Sequence, residues 1–158
     1  MIELLPFFEW CEASALGQVV RTSVWLFPVI EAGHLLALCL LGAGLLVVDA
    51  RMLGRGLTDV PIAEIHAALA PWLRRGVWLL IATGVPLFMS EAVKCYYNPS
   101  FWVKMATLPV AIVFTWRVRS RVARTAGEAT AHTRLVAATS MALWFVVAAA
   151  GRWIGFSS

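Results

Sequence analysis

The feature that most constrains this chain is the stretch of residues 24–49, VWLFPVIEAGHLLALCLLGAGLLVVD. A membrane-spanning helix needs roughly 20 mostly apolar residues, and this stretch meets that length. Glu31 and His34 lie three residues apart within it, so they share one helix face. Ionisable side chains are costly in a bilayer and usually face the interior of a helix bundle, where they mark function. The stretch therefore predicts a transmembrane helix that carries two candidate functional residues.

The composition extends this conclusion to the whole chain of 158 residues. Of these, 61% are hydrophobic and 14% are charged, whereas a soluble domain is roughly 45–50% apolar and about 25% charged. The length fits a single membrane domain, residues 1–158. No nucleic-acid-binding motif accompanies the basic residues, so no nucleic-acid partner is expected. The three cysteines show no CxxC spacing, which argues against a zinc or iron–sulfur site.

Apolar segments predict an all-α fold, an integral membrane four-helix bundle. The spans are predicted at about residues 24–49, 76–93, 101–116 and 135–154. Their flanking residues include aromatic side chains and turn signals such as Asn98-Pro99, which are typical of the membrane interface and of loops.

Two further helices are predicted to lie in the interface. From Phe8 onward, apolar residues recur at helical spacing, which indicates an N-terminal amphipathic helix on the membrane surface. The segment between spans 1 and 2 predicts a short interfacial helix that Pro71 ends or bends. His66 lies on this second helix, and we expect it to be exposed to solvent.

The basic residues set the orientation. Segments 51–75 and 117–134 hold nine of the thirteen Lys and Arg residues, and positively charged loops stay inside. Both termini are therefore predicted on the outer, periplasmic side of the cell inner membrane, in a multi-pass protein. The acidic N-terminus lacks the basic region of a secretory signal, so no cleavage is expected. Cys39 should stay free in the bilayer, and whether Cys11 and Cys95 pair on the outer side is left open.

This topology brings four polar residues of three spans to one depth: Glu31, His34, Lys104 and Arg152. An opposite charge nearby lowers the cost of an ionised carboxylate in a low-dielectric environment. We therefore expect Glu31 to pair with Lys104 or Arg152, and His34 to form a hydrogen bond in the same cleft. Two alternatives are that the cluster only fixes helix register, and that Lys104 extends outward to the headgroups.

Another charged pair stands at the inner end of the first span. Asp49 and Arg51 are two residues apart, and we interpret them as a terminal charge pair without a functional role.

The chain offers no soluble catalytic domain, nucleophile triad or metal-ligand set, so it predicts a non-catalytic subunit or scaffold of a membrane complex and no enzyme. Its partners would be the lipid bilayer, other membrane proteins or a second copy. No cofactor is predicted. One alternative is an electron-transfer module that binds quinone or haem b at His34, with Met89, Met105 or Met141 as a second iron ligand. Another is a small transporter that uses Glu31, His34 and Arg152.

A further set of residues extends over most of the chain: Trp25, Pro28, Glu31, His34, Asp49, Arg51, Leu53-Gly54, Pro71-Trp72, Thr83-Gly84, Asn98-Pro99, Lys104 and Gly151-Arg152. This set resembles a family of small bacterial inner-membrane proteins of unknown function. The resemblance implies a membrane location and a four-span fold, and it implies no activity. It also implies a histidine at the inner end of the third span, and this chain departs from that pattern with Phe114-Thr115-Trp116.

Overall fold

Long apolar helices account for most of the chain in the computed structural model, which describes residues 4–156. These residues form helices and no strand, in agreement with the all-α prediction. The elements are α1 (Leu5–Ala13), α2 (Ala15–Thr22), α3 (Leu26–Met52), α4 (Ile62–Ser90), α5 (Ala92–Tyr97), α6 (Pro99–Phe114), a π-helical segment (Thr115–Arg119), α7 (Ser120–Thr125) and α8 (Ala131–Ile154).

Three helical stretches are long and apolar enough to cross a membrane. They are α3, α8 and the continuous helix Pro99–Thr125, which comprises α6, the π-helical segment and α7. The predicted second span falls largely in α4, a helix of 29 residues that is not one of the three. Helix α3 packs mainly against α4, α6 packs mainly against α8, and α3 also contacts α8.

Helix α4 corrects the predicted interfacial helix between spans 1 and 2. It runs without a break from Ile62 through Pro71 and Pro86, so the prediction of a separate short helix is wrong. A proline inside a helix removes one backbone hydrogen bond. Breaking the helix would leave several backbone groups to be satisfied, and an apolar environment offers few partners for them.

The predicted N-terminal helix is divided into two. Ser14 has an extended backbone conformation between α1 and α2 and caps α2, since its hydroxyl oxygen accepts a hydrogen bond from the Gly17 N–H at 3.2 Å. The hydroxyl also donates to the Cys11 carbonyl at 2.6 Å. A serine at this position satisfies one of the free N–H groups of a helix start, and here that local preference decides where the helix breaks.

Three apolar clusters form the core. The terms inner and outer follow the orientation that the sequence predicts. The inner cluster includes Met52, Ile62 and Val136, and the middle cluster includes Leu41 and Leu73. The outer cluster joins α1 to α5 and α6 and consists of Phe8, Cys11, Ala92, Cys95 and Phe101.

Cys11 and Cys95 both lie in the outer cluster, and neither forms a disulfide bond. Cys39 is also unpaired, and its side chain is exposed. Burial, and secondarily the charge of Glu91, raises the pKa of Cys95 to about 11. The Cys95 thiol therefore stays protonated at neutral pH, and a protonated thiol is a poor nucleophile.

Candidate functional site

One ring nitrogen of His34, Nδ1, lies within hydrogen-bonding distance of another side chain, and the other, Nε2, is available to a ligand. Its Nδ1 lies 2.8 Å from the Thr83 hydroxyl oxygen, which is also 2.7 Å from the Leu79 carbonyl. When the Thr83 hydroxyl donates to that carbonyl, its oxygen accepts a hydrogen bond from the Nδ1–H of His34. In this tautomer the lone pair on Nε2 is available to accept a hydrogen bond or to bind a proton or a metal ion.

Lys104 lies between two helices of the outer half. Its ammonium nitrogen is 3.3 Å from the point where a Cβ on Gly151 would stand, so the side chain extends from α6 across to α8. Glycine at position 151 is what leaves room for the ammonium group. The structure thus places the Lys104 ammonium group next to Gly151, the residue that precedes Arg152 in the chain.

Glu31 and Arg152 do not join this arrangement through an ion pair. Both side chains are exposed, and the Arg152 guanidinium lies over the Phe156 ring at 4.1 Å from its centroid. Within residues 4–156 the ion pairs are Glu12–Arg21, Glu91–Lys94 and Asp49–Arg119. The predicted pairing of Glu31 with Lys104 or Arg152 is therefore wrong, because Glu31 is exposed on α3 whereas the Lys104 ammonium group lies beside Gly151 of α8. A functional role for these residues stays a prediction.

A second polar cluster, which the sequence analysis missed, lies at the inner end of the bundle. Arg119 donates from Nε to Asp49 Oδ1 at 2.5 Å and from Nη2 to the Leu45 carbonyl at 3.2 Å. Ser140 donates to the other carboxylate oxygen of Asp49 at 2.8 Å. Asp49, Arg119 and Ser140 are each at most 1% exposed. The inner polar cluster, defined by these three side chains, joins α3, the π-helical segment and α8.

The π-helical segment positions Arg119. Arg119 is fully buried, whereas Arg117 and Arg121, two residues before and after it, are exposed. Thr115, at the start of the segment, accepts a hydrogen bond from the Trp144 indole N–H at 2.9 Å. Single π-helical turns inside α-helices are rare and occur frequently at functional sites. In this chain the segment brings one arginine of a basic run into the core.

Arg51 has a different partner from the one the sequence indicated. It is buried, and it donates from Nε to the Val60 carbonyl at 2.8 Å and from Nη2 to the carbonyls of Thr58 and Gly127 at 3.2 and 3.4 Å. The predicted Asp49–Arg51 pair is therefore wrong. Two residues apart on a helix, the two side chains face different directions, and Arg51 instead connects the α3–α4 loop to the α7–α8 loop.

His66 is also placed differently from the prediction of a solvated side chain. It is only 3% exposed, and neither of its ring nitrogens has a hydrogen-bond partner within the described residues. Burial, and then the charges of Arg119 and Arg124, lower the pKa of His66. The imidazole is therefore neutral at physiological pH. Arg119 Nη1 likewise lacks a partner there, so the inner end of the bundle retains unused hydrogen-bonding capacity.

The described part of the chain contains no group of three or more His, Cys, Asp and Glu side chains placed to hold a metal ion. His34 lies in the outer half, and its Nε2 is an atom that could bind a cofactor.

Comparison with known proteins gives one match. A family model described as "Family of unknown function (DUF6644)" covers residues 7–157. No curated protein and no solved structure matches the chain.

Proposed function

Because the chain belongs to DUF6644, a family of unknown function, we propose its role from the geometry. It is an integral membrane protein of four spans, with both termini on the outer side of a bacterial inner membrane, and it acts as a non-catalytic subunit of a membrane complex. The three helical stretches of spanning length and composition support the membrane location. The distribution of Lys and Arg supports the orientation, since nine of thirteen lie in segments 51–75 and 117–134.

The topology is tested by labelling single cysteines. In a variant without native cysteines, Tyr97→Cys in α5 and Arg121→Cys in α7 provide exposed sites at opposite ends of the bundle. An impermeant maleimide added to intact spheroplasts is expected to label Tyr97→Cys, and to label Arg121→Cys only after lysis. Labelling of both from the same side, or in the reverse order, contradicts four spans with outer termini.

The exposed carboxylate of Glu31 is the observation that supports a role as a subunit of a complex. It lies within a helix of spanning length and composition, and no ion pair among residues 4–156 includes it. The outer part of α3, from Leu26 to Leu36, contains no buried residue. A charge on this surface is costly against lipid, and a basic residue on a helix of another subunit would lower that cost.

Neutralising this carboxylate is expected to weaken the assembly. Glu31→Gln keeps the size and hydrogen-bonding capacity of the side chain and removes its charge, and loss of one partner of a buried charge pair costs roughly 2–5 kcal/mol of binding free energy. The tagged chain, extracted in mild detergent, is expected to migrate in a complex larger than its monomer on native gels, and Glu31→Gln is expected to shift it toward the monomer.

The matched control is Glu64→Gln, which neutralises an exposed carboxylate near the start of α4. It should leave the complex intact. A wild-type chain that migrates as a monomer, or a Glu64→Gln variant that dissociates to the same degree, would refute the proposed interface.

One observation favours a second role, an electron-transfer module at His34. The Thr83 hydroxyl lies within hydrogen-bonding distance of Nδ1 and leaves Nε2 available. Histidines that bind haem iron commonly form a hydrogen bond through their other ring nitrogen.

In this role the purified chain is expected to carry haem, detected by its visible absorption, or quinone, detected after solvent extraction. His34→Ala should remove the bound group, and His132→Ala, at an exposed position, should retain it. Absence of both groups from the wild-type protein contradicts this second role.

A further inference from the structure

A cavity of about 570 Å³ lies at the predicted outer end of the bundle, away from His34 and from the inner polar cluster. It is bounded by α1, α2, the start of α3, the end of α4, and α5. Its volume is within the range of about 300–1,000 Å³ that is usual for small-molecule sites. The side chains that matter for its chemistry are Glu12, Arg21, Phe27, Glu91, Lys94 and Tyr97.

The cavity carries two carboxylates and two cations, so its charged groups sum to zero. Glu12 is engaged from two sides, since it pairs with Arg21 and accepts a hydrogen bond from the Val93 N–H at 2.8 Å. Arg21 bonds Glu12 through one terminal nitrogen, and 56% of its side chain is exposed. The guanidinium therefore has further N–H groups that can donate to an anion in the cavity.

Glu91 and Lys94 form the second pair, and it is loose. Their charged atoms are 3.8 Å apart, and about 40% of each side chain is exposed. Exposed pairs of this kind contribute little free energy. Little is therefore lost when the two groups separate and each binds the oppositely charged part of a ligand. The cavity then offers two cationic donors, Arg21 and Lys94, and one available carboxylate, Glu91.

The surroundings indicate where the rest of a ligand would lie. Phe27, near the start of α3, and Tyr97, at the end of α5, also line the cavity, and tyrosine is enriched at the membrane–water interface. Helix α3 exposes large apolar side chains on several sides along its outer half, among them Leu26, Val29 and Leu35. A charged headgroup in the cavity would thus adjoin a helix whose surface is apolar.

We propose that this cavity binds the zwitterionic headgroup of a phospholipid, with its phosphate at Arg21 and Lys94, its ammonium group at Glu91, and its acyl chains along α3. This goes beyond the role as a subunit, because the site needs no partner protein. Two cations match a phosphate through charge-assisted hydrogen bonds, and one carboxylate matches an ammonium group. An anionic phospholipid without an ammonium group would leave Glu91 without a cationic partner and close to added negative charge.

The test measures lipid binding to the purified, detergent-solubilised protein by native mass spectrometry. Phosphatidylethanolamine and phosphatidylglycerol of the same acyl composition are titrated separately. The wild-type chain is expected to bind one phosphatidylethanolamine with about tenfold preference over phosphatidylglycerol, the size of one charge-assisted hydrogen bond. Glu91→Gln is expected to abolish the preference, and Lys94→Gln to weaken the binding of both lipids.

Arg152→Gln is the matched control, because it removes an exposed cation that does not line the cavity. It should change neither affinity. Equal binding of the two lipids by the wild-type chain, or an unchanged preference in Glu91→Gln, would overturn the proposal.

A competition experiment with soluble phosphoethanolamine tests whether the ligand is a lipid or a soluble compound. Displacement of the lipid by this compound at the lipid's own concentration would identify a soluble ligand and refute the phospholipid. The subunit proposal is tested separately through Glu31, so the two can fail independently.

Discussion

Replacing Arg119 by leucine is expected to lower the free energy of unfolding by about 3–5 kcal/mol, because it leaves the carboxylate of Asp49 buried without its cation. Asp49 is 1% exposed, and its remaining side-chain partner would be the Ser140 hydroxyl. The variant also loses the hydrogen bond from Arg119 to the Leu45 carbonyl. Reversible unfolding of the detergent-solubilised protein, followed by circular dichroism, measures the change.

The double variant Asp49→Leu/Arg119→Leu separates the ion pair from general damage to the core. Removing both charges should cost clearly less than the sum of the two single replacements, since no unpaired charge is left behind. Arg121→Leu, an exposed arginine two residues along the same helix, should change stability by less than about 0.5 kcal/mol. Additive effects of the two single replacements would show that the pair contributes nothing as a unit.

Replacing Gly17 by alanine is expected to detach the N-terminal helices from α4. A Cβ at this position would lie 2.6 Å from the Met89 carbonyl oxygen, and 2.9 Å from those of Cys11 and Glu12. All three are backbone atoms and cannot rotate away as a flexible side chain can. Overpacking of this kind costs about 1–3 kcal/mol. Because Cys11 is buried where α1 meets α5, its rate of reaction with a maleimide reports the detachment directly and should rise.

Gly33→Ala is the control for this replacement. It adds the same methyl group to a helical glycine with no neighbouring atom within 4 Å of the new Cβ. It should leave the reactivity of Cys11 unchanged, and it favours the helix slightly because alanine has the higher helix propensity. Equal reactivity of Cys11 in the two variants would show that α2 does not need the close approach to α4 at Gly17.

The two polar regions of the bundle lie on either side of an apolar layer. His34 and Lys104 belong to the outer half, and Asp49 and Arg119 to the inner end, with the middle core cluster around Leu41 between them. In the outer region, His34 Nε2 is available to bind a ligand, whereas the inner polar cluster of Asp49, Arg119 and Ser140 joins three elements. This difference is why the proposed roles use Glu31 and His34, and why the largest losses of stability are expected at Asp49 and Arg119.

The sequence by itself determined the helical class and the approximate limits of two of the long helices. The predicted span 24–49 corresponds to α3, Leu26–Met52, and the span 135–154 to α8, Ala131–Ile154. It also identified Glu31 and His34 as ionisable groups within an apolar helix. These features follow from local composition, because a helix satisfies its own backbone hydrogen bonds and its length is set by consecutive apolar residues.

Only the tertiary structure decided which polar groups meet. Asp49 required a cation, but five arginines follow the third span, and the π-helical segment determines that Arg119 is the one that turns inward. His66 is buried because other helices cover its face of α4, a fact that the pattern of α4 alone does not contain. Partner choice depends on the rotation and contact of whole helices. Residues far apart in sequence determine these, so the periodicity of a single segment carries no information about them.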